Sequence, residues 1–169
     1  NSQSRSLEEA LLRRRIPYTI YGSLEFYERL EIKDLLAYLR LIVNPADDVS
    51  FLRIYNVPTR GLGEKALETL QKSATAYGVS LWKAAEMTLS DPTQKASPKL
   101  KYLVDLLHAL HEEVLANPIN EAVNTLLEAL EYPEYLKKKY PDQYTDKMDN
   151  IQELGAGIIE FENKNPGTT

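Results

Sequence analysis

Between residues 24 and 43 the apolar side chains Ile32, Leu35, Leu36, Leu39 and Ile42, joined by Tyr38, recur every three or four positions. That spacing gathers them on one stripe of an α-helix but scatters them over both faces of a strand, so only a helix buries them together. Asn44-Pro45 stops the pattern, and Asp47 or Asp48 can cap a second helix through Phe51, Leu52, Ile54 and Tyr55 that Pro58 ends. The same period returns at 64–77, 81–87, 98–116, 119–130 and 146–162, the last with Met148, Ile151, Leu154, Ile158 and Phe161 on one face. Gly155 and Gly157 in that last helix weaken it modestly and permit a close helix contact. Residues 90–97 read as a polar linker and 131–144 as a stretch punctuated by tyrosine and proline.

The N-terminal part reads differently. Ser6 can cap a short helix with Glu8 and Glu9 in its first turn and Arg13-Arg14-Arg15 at its end, which matches the helix dipole. Ile16-Pro17 breaks it, and Tyr18-Thr19-Ile20-Tyr21 is one β-prone run closed by Gly22-Ser23. The expected class is therefore all-α with one short N-terminal β-strand whose sheet partners lie outside this sequence.

At 169 residues and a formal charge of −5, the chain can bury a real core and is not a generally basic nucleic-acid coat. Its cations are unevenly placed: every arginine, from Arg5 to Arg60, lies before the first glycine of Gly61-Leu62-Gly63, and all later cations are lysines. Arginine offers the planar, bidentate fork that suits phosphate, so phosphate handling belongs in the first third. With no cysteine, a disulfide framework, a cysteine-ligated metal and a thiol nucleophile are excluded. No apolar run approaches the about 20 residues needed to cross a bilayer, and a cytoplasmic, monomeric protein without membrane partners is expected. His108 and His111, three apart, have no third ligand near them in sequence and read as a helix surface. Arg13-Arg14-Arg15 and Lys137-Lys138-Lys139 read as solvated helix ends, and the adjacent carboxylates Glu8-Glu9 and Asp47-Asp48 as first-turn caps.

Gly61-Leu62-Gly63 lies between two expected helices, after Thr59-Arg60 and before Lys65. In a helix–hairpin–helix arrangement such glycines let the backbone turn tightly and approach a phosphate, with the amides of the next helix aimed at the anion. Taken alone, Gly-x-Gly more often only reverses the chain. There is no Gly-x-x-x-x-Gly-Lys-Ser/Thr loop and no Ser/His/Asp set, so this stretch of chain is not expected to hydrolyse a nucleotide.

The ordered series Asn1-Ser2-Gln3-Ser4-Arg5, Leu7-Glu8-Glu9, Ile16-Pro17-Tyr18, Tyr21-Gly22-Ser23, Phe26-Tyr27-Glu28-Arg29 and Glu31-Ile32-Lys33-Asp34 resembles the superfamily 1 DNA helicases of the UvrD/Rep/PcrA type. Ala37-Tyr38-Leu39-Arg40, Asn44-Pro45, Asp47-Asp48, Arg53-Ile54 and Asn56-Val57-Pro58-Thr59-Arg60-Gly61-Leu62-Gly63 continue the likeness. The resemblance implies a piece from within such an enzyme, opening inside motif IV. Residues 1–43 would close the second RecA-like core domain, and 44–169 would form the helical insert called subdomain 2B.

It implies, further, that Arg5 contacts the γ-phosphate of ATP in the parent enzyme. Thr59, Arg60, Gly61, Leu62, Gly63 and Lys65 would grip duplex DNA, with Leu62 standing where the family has isoleucine, and Arg29 would face single-stranded DNA at the junction. Its implied partners are duplex DNA, the single-strand/duplex junction and the remaining core domains. ATP and Mg belong to the parent, with neither held by this piece. A helical subdomain of an ATP-dependent 3′-to-5′ helicase of repair or replication is the expectation that follows. A free-standing helical protein-interaction domain and an autonomous helix–hairpin–helix DNA-binding module are the alternatives.

Overall fold

The computed structural model describes residues 24–95, 97–118 and 121–164, and every regular element among them is helical. In chain order these are α1 (Leu24–Tyr27), α2 (Leu30–Val43), α3 (Asp48–Ile54), α4 (Glu64–Tyr77) and α5 (Leu81–Ser90). Then follow α6 (Pro98–Ala116), α7 (Ala122–Leu130), α8 (Tyr132–Lys139), a 3-10 turn (Pro141–Gln143) and α9 (Tyr144–Lys164). The all-α class holds for these residues. The expected helix after Ser6, the strand at Tyr18–Tyr21 and Arg5 all lie outside the described residues.

Helix α2 is the axis of the fold. Its stripe of Ile32, Leu35, Tyr38, Leu39, Leu41 and Ile42 is fully buried and packs against α3, α6 and α9. Phe51 and Ile54 of α3, Leu103 and Leu107 of α6 and Leu126 of α7 complete the same core. Although α2 falls in the segment 1–43, its apolar side chains are thus continuous with the helices after residue 44.

Two polar clusters pin α2 in place. Asp34 accepts from the Tyr132 hydroxyl at 2.8 Å and from Arg53 Nε at 3.0 Å, while Arg53 also donates to the Leu30 carbonyl. Burial pushes the Asp34 carboxyl up, and the Tyr132 and Arg53 donors pull it back in part. One turn away, Glu31 accepts from Lys147 Nζ at 3.1 Å and Asn150 Nδ2 at 2.7 Å on α9. Both carboxylates are nearly inaccessible, so these donors replace the water each one loses.

The structure departs from the periodicity at several places; α5 runs on to Ser90, past the expected 87, and α7 begins at Ala122, after the expected 119. Residues 24–43 are not one helix: Arg29 is extended (φ −69°, ψ 139°), and its guanidinium donates to Asn150 of α9 and lies 5.6 Å from the Phe26 ring. A tertiary anchor at Arg29 overrides local helical preference there. The punctuated stretch forms α8, because Pro133 sits in its first turn, where no backbone donor is needed. Glu131, in the left-handed region at φ 50°, turns the chain from α7 into α8. Finally, α9 starts two residues before Asp146, at Tyr144. Gly155 there looks toward Val123 of α7, but a Cβ at Gly155 would sit at an ordinary 3.8 Å from Val123, so the helices do not approach so closely that glycine is required.

Candidate nucleic-acid interface

The segment from Asn56 to Lys65 joins α3 to α4, and its shape is set from inside. Asn56 Oδ1 accepts two loop amides, Arg60 N at 2.7 Å and Leu62 N at 3.2 Å. One side chain thereby does for the loop what a backbone ladder does for a strand. The Arg60 guanidinium folds inward, donating to the carbonyls of Ile54 at 2.5 Å and Tyr55 at 3.2 Å and to the Tyr38 hydroxyl. Tyr38 in turn donates to the Val57 carbonyl at 2.5 Å, beside the cis Val57-Pro58 bond. Burial pushes the Tyr38 phenol up to about 12, so it keeps its proton and can donate and accept at once.

With these contacts in place, Leu62 points into the core at 6% exposure while Thr59, Gly61 and Gly63 stay at the surface. Gly61 adopts φ 74°, a left-handed conformation that glycine takes without the steric cost a side chain would incur. A Cβ at Gly61 would also come within 2.9 Å of Lys99 Nζ, which donates to the Gly61 carbonyl at 3.4 Å. The Tyr55 hydroxyl donates to the Gly63 carbonyl at 3.3 Å.

Gly63 is the N-cap of α4 and provides no side-chain acceptor to its first amides. Helices α3, α5 and α6 begin with Asp47, Ser80 and Ser97, each accepting a backbone N–H of the first turn, whereas α2, α7 and α8, like α4, have no side-chain cap. The first amides of any α-helix lack intrahelical acceptors and carry the positive end of its dipole. A cradle around Gly63 would reject a larger residue, yet a Cβ there meets nothing within 4 Å. The start of α4 is therefore open to an approaching anion, with exposed Glu64 and Lys65 offsetting each other beside it.

Thr59, Arg60, Gly61, Leu62, Gly63 and Lys65 are thus brought together, but in different roles. Thr59, Gly61, Gly63 and Lys65 form the outer surface, whereas Arg60 and Leu62 hold it from within. Sequence reasoning missed Asn56, Tyr38, Tyr55 and Lys99. Asn56, four residues before Arg60, is the one whose position in a loop could have marked it as a turn organiser. Arg29 lies apart, engaged by α9 as described, and Arg5 is outside the described residues.

Elsewhere, His108 pairs with Glu86 at 2.5 Å and stacks 5.8 Å from the Trp82 ring. Among the described residues no group of three His, Cys, Asp or Glu side chains could hold a metal, and no helix is long and apolar enough to cross a membrane.

The family model for the UvrD-like helicase C-terminal domain matches residues 1–169. DNA helicase II of Escherichia coli is 34% identical over 163 residues, covering 95% of this chain and 23% of that protein. The ATP-dependent DNA helicase PcrA of Bacillus subtilis is 36% identical over 173 residues, covering 100% of this chain and 23% of that protein. PcrA of Staphylococcus aureus is 35% identical over 167 residues, covering 98% and 23% respectively. The chain spans less than a quarter of the length of these relatives. With its entire length matched and helicase relatives above 30% identity across it, the chain belongs to the UvrD-like helicase C-terminal domain family.

Proposed function

We propose that this chain is the duplex-binding and regulatory 2B subdomain of an ATP-dependent 3′-to-5′ DNA helicase that acts in repair or replication. The start of α4 binds a phosphate of double-stranded DNA through main-chain amides, with Thr59 and Lys65 beside them. Such contacts hold the sugar-phosphate backbone in register without reading bases. Arg60 and Leu62 act one layer down, by keeping the loop in the shape that exposes Gly61 and Gly63. The single observation that supports this most strongly is the exposed, uncapped N-terminus of α4 behind a left-handed Gly61 whose flanking amides are fixed by Asn56.

Because α2 shares its core with α3, α6 and α9, we place the junction with the RecA-like core before α2, and the helical body moves as one piece against that core. Arg29, tied to Asn150, belongs to that body and stabilises its edge; contact with single-stranded DNA at the junction would use what remains of its exposed guanidinium. Arg5 is assigned to the γ-phosphate of ATP in the parent, and the groups that hold ATP and Mg lie with the parent's other domains. No step proposed for this chain runs through them. The parent would be cytoplasmic, and the chain by itself monomeric and without ATPase activity.

The test is anisotropy of a labelled duplex titrated with the chain. Affinity in the nonspecific range, about 1–100 μM at physiological salt and independent of sequence, is expected. Gly63→Asp should abolish most of that binding while leaving the helix content unchanged. Unaltered affinity would reject the main-chain contact.

A further inference from the structure

Beside the glycine loop runs an open groove of about 820 Å³ between the loop, the first turn of α6 and α8. Thr59, Lys99, Tyr102, Tyr135, Lys138 and Lys139 form its polar and aromatic lining. Three ammonium groups face one acidic lining residue, Glu131, although the chain as a whole carries a net charge of −5. Lys99 is common to both features, since its Nζ also reaches the Gly61 carbonyl. Lys139 Nζ lies 3.4 Å from the Tyr135 hydroxyl, to which it donates, and 5.5 Å from the Tyr135 ring. Tyr102, 56% exposed, adds an aromatic face to the lining.

We infer that this groove carries the sugar-phosphate backbone of the same duplex onward from the glycine loop, with Lys138 and Lys139 as its second set of phosphate contacts. The inference rests on the duplex-binding function proposed above and extends its footprint from one helix end to a track. Three features favour a polyanionic backbone over a compact ligand. The groove is open to solvent, three ammonium groups and two tyrosines share its lining with a single carboxylate, and it adjoins the glycine loop through Lys99. A lining that combines cations with aromatic side chains suits phosphate and sugar without reading sequence. Charge also selects the occupant, because the predominantly acidic remainder of the chain would repel a polyanion from the other helical faces.

The experiment compares the 169-residue chain with K138Q/K139Q, K138R/K139R and G63D, by anisotropy of a short labelled duplex over a salt series. Lys99 is left intact because it touches both sites. Neither lysine lies in the core, and unchanged circular dichroism would establish that the variants fold. For K138Q/K139Q we expect roughly tenfold weaker binding at low salt and a log–log salt slope smaller by about 2, one phosphate per lysine. K138R/K139R should retain the parent slope.

A parent-like slope in K138Q/K139Q overturns the groove while leaving the loop contact standing. Binding lost in K138Q/K139Q but untouched in G63D rejects the loop contact and keeps the groove as the duplex site. Displacement of the duplex by poly-glutamate at equal charge concentration would instead assign the groove to an acidic peptide and overturn the inference.

Discussion

At Asp34, Tyr132 and Arg53 converge on a carboxylate that is 3% exposed, whereas at Gly63 a helix begins in open solvent with no side chain across its amides. Both sites concentrate polar groups, and both are held by residues distant in sequence. They differ in what is left over. Around Asp34 and Glu31 the acceptors are met by protein donors, as burial requires. In the loop, only the amides that set its shape, Arg60 and Leu62, are bound by Asn56, and the start of α4 is left to water or to a ligand. A polar group matched inside the protein stabilises the fold. One left available at an exposed, well-shaped surface is free to act on something else.

This contrast can be broken at five positions, from the largest effect to the smallest. Arg53→Ala should cost about 3 kcal/mol by leaving Asp34 short of its cation, measured as a shift in the urea midpoint with the single tryptophan, Trp82, as fluorophore. The folded fraction should bind duplex normally, and a loss of affinity at full folding would mean that the two regions are coupled. Asn56→Ala should cost about 2 kcal/mol, because two loop amides lose their acceptor, and should weaken duplex binding as the loop relaxes. Stability lost without any change in affinity would show that loop shape is irrelevant to binding.

Two glycines with the same left-handed backbone form a matched pair: Gly61 at φ 74° and Gly78 at φ 65°. Gly78 closes α4 with its N–H directed at the carbonyls of Ala74 and Thr75, and has open space around it. Alanine at either should cost about 1 kcal/mol in thermal unfolding. Only Gly61→Ala, which also displaces Lys99, should reduce duplex affinity. Equal behaviour of the two would reduce Gly61 to a chain reversal.

The smallest energetic change carries the sharpest functional one. Gly63→Asp gives α4 the acceptor that α3 already has, and should raise stability by about 0.5 kcal/mol in the same melt. It should nevertheless repel phosphate. A variant that is more stable and binds duplex equally well would remove the distinction between the two helix starts.

Helix positions were legible in the sequence wherever one apolar stripe and two terminal signals agreed. The bounds of α4 and α6 follow directly from Gly63 and Gly78 and from Ser97-Pro98 and Asn117. Where tertiary contacts decide, the local pattern misleads: nothing near Arg29 announces that Asn150 will anchor it and break the helix. The glycine pair was visible as a site because its residues are contiguous. The inward turn of Arg60 was not, since its acceptors include Tyr38, 22 residues away, and an arginine beside glycines looks the same in sequence whether it faces phosphate or carbonyls. The groove was hidden for the same reason. Lys138 and Lys139 read as a wet helix end until α8 is laid beside Lys99 and Tyr102.

The most direct measurement is amide chemical-shift perturbation in the 15N-labelled chain during titration with a short DNA duplex. The amides of Gly63, Glu64 and Lys65 should move progressively and saturably, while those of Asp48, Val49 and Ser50, behind the Asp47 cap, stay in place. Shifts that spare the start of α4 and gather elsewhere would contradict the account.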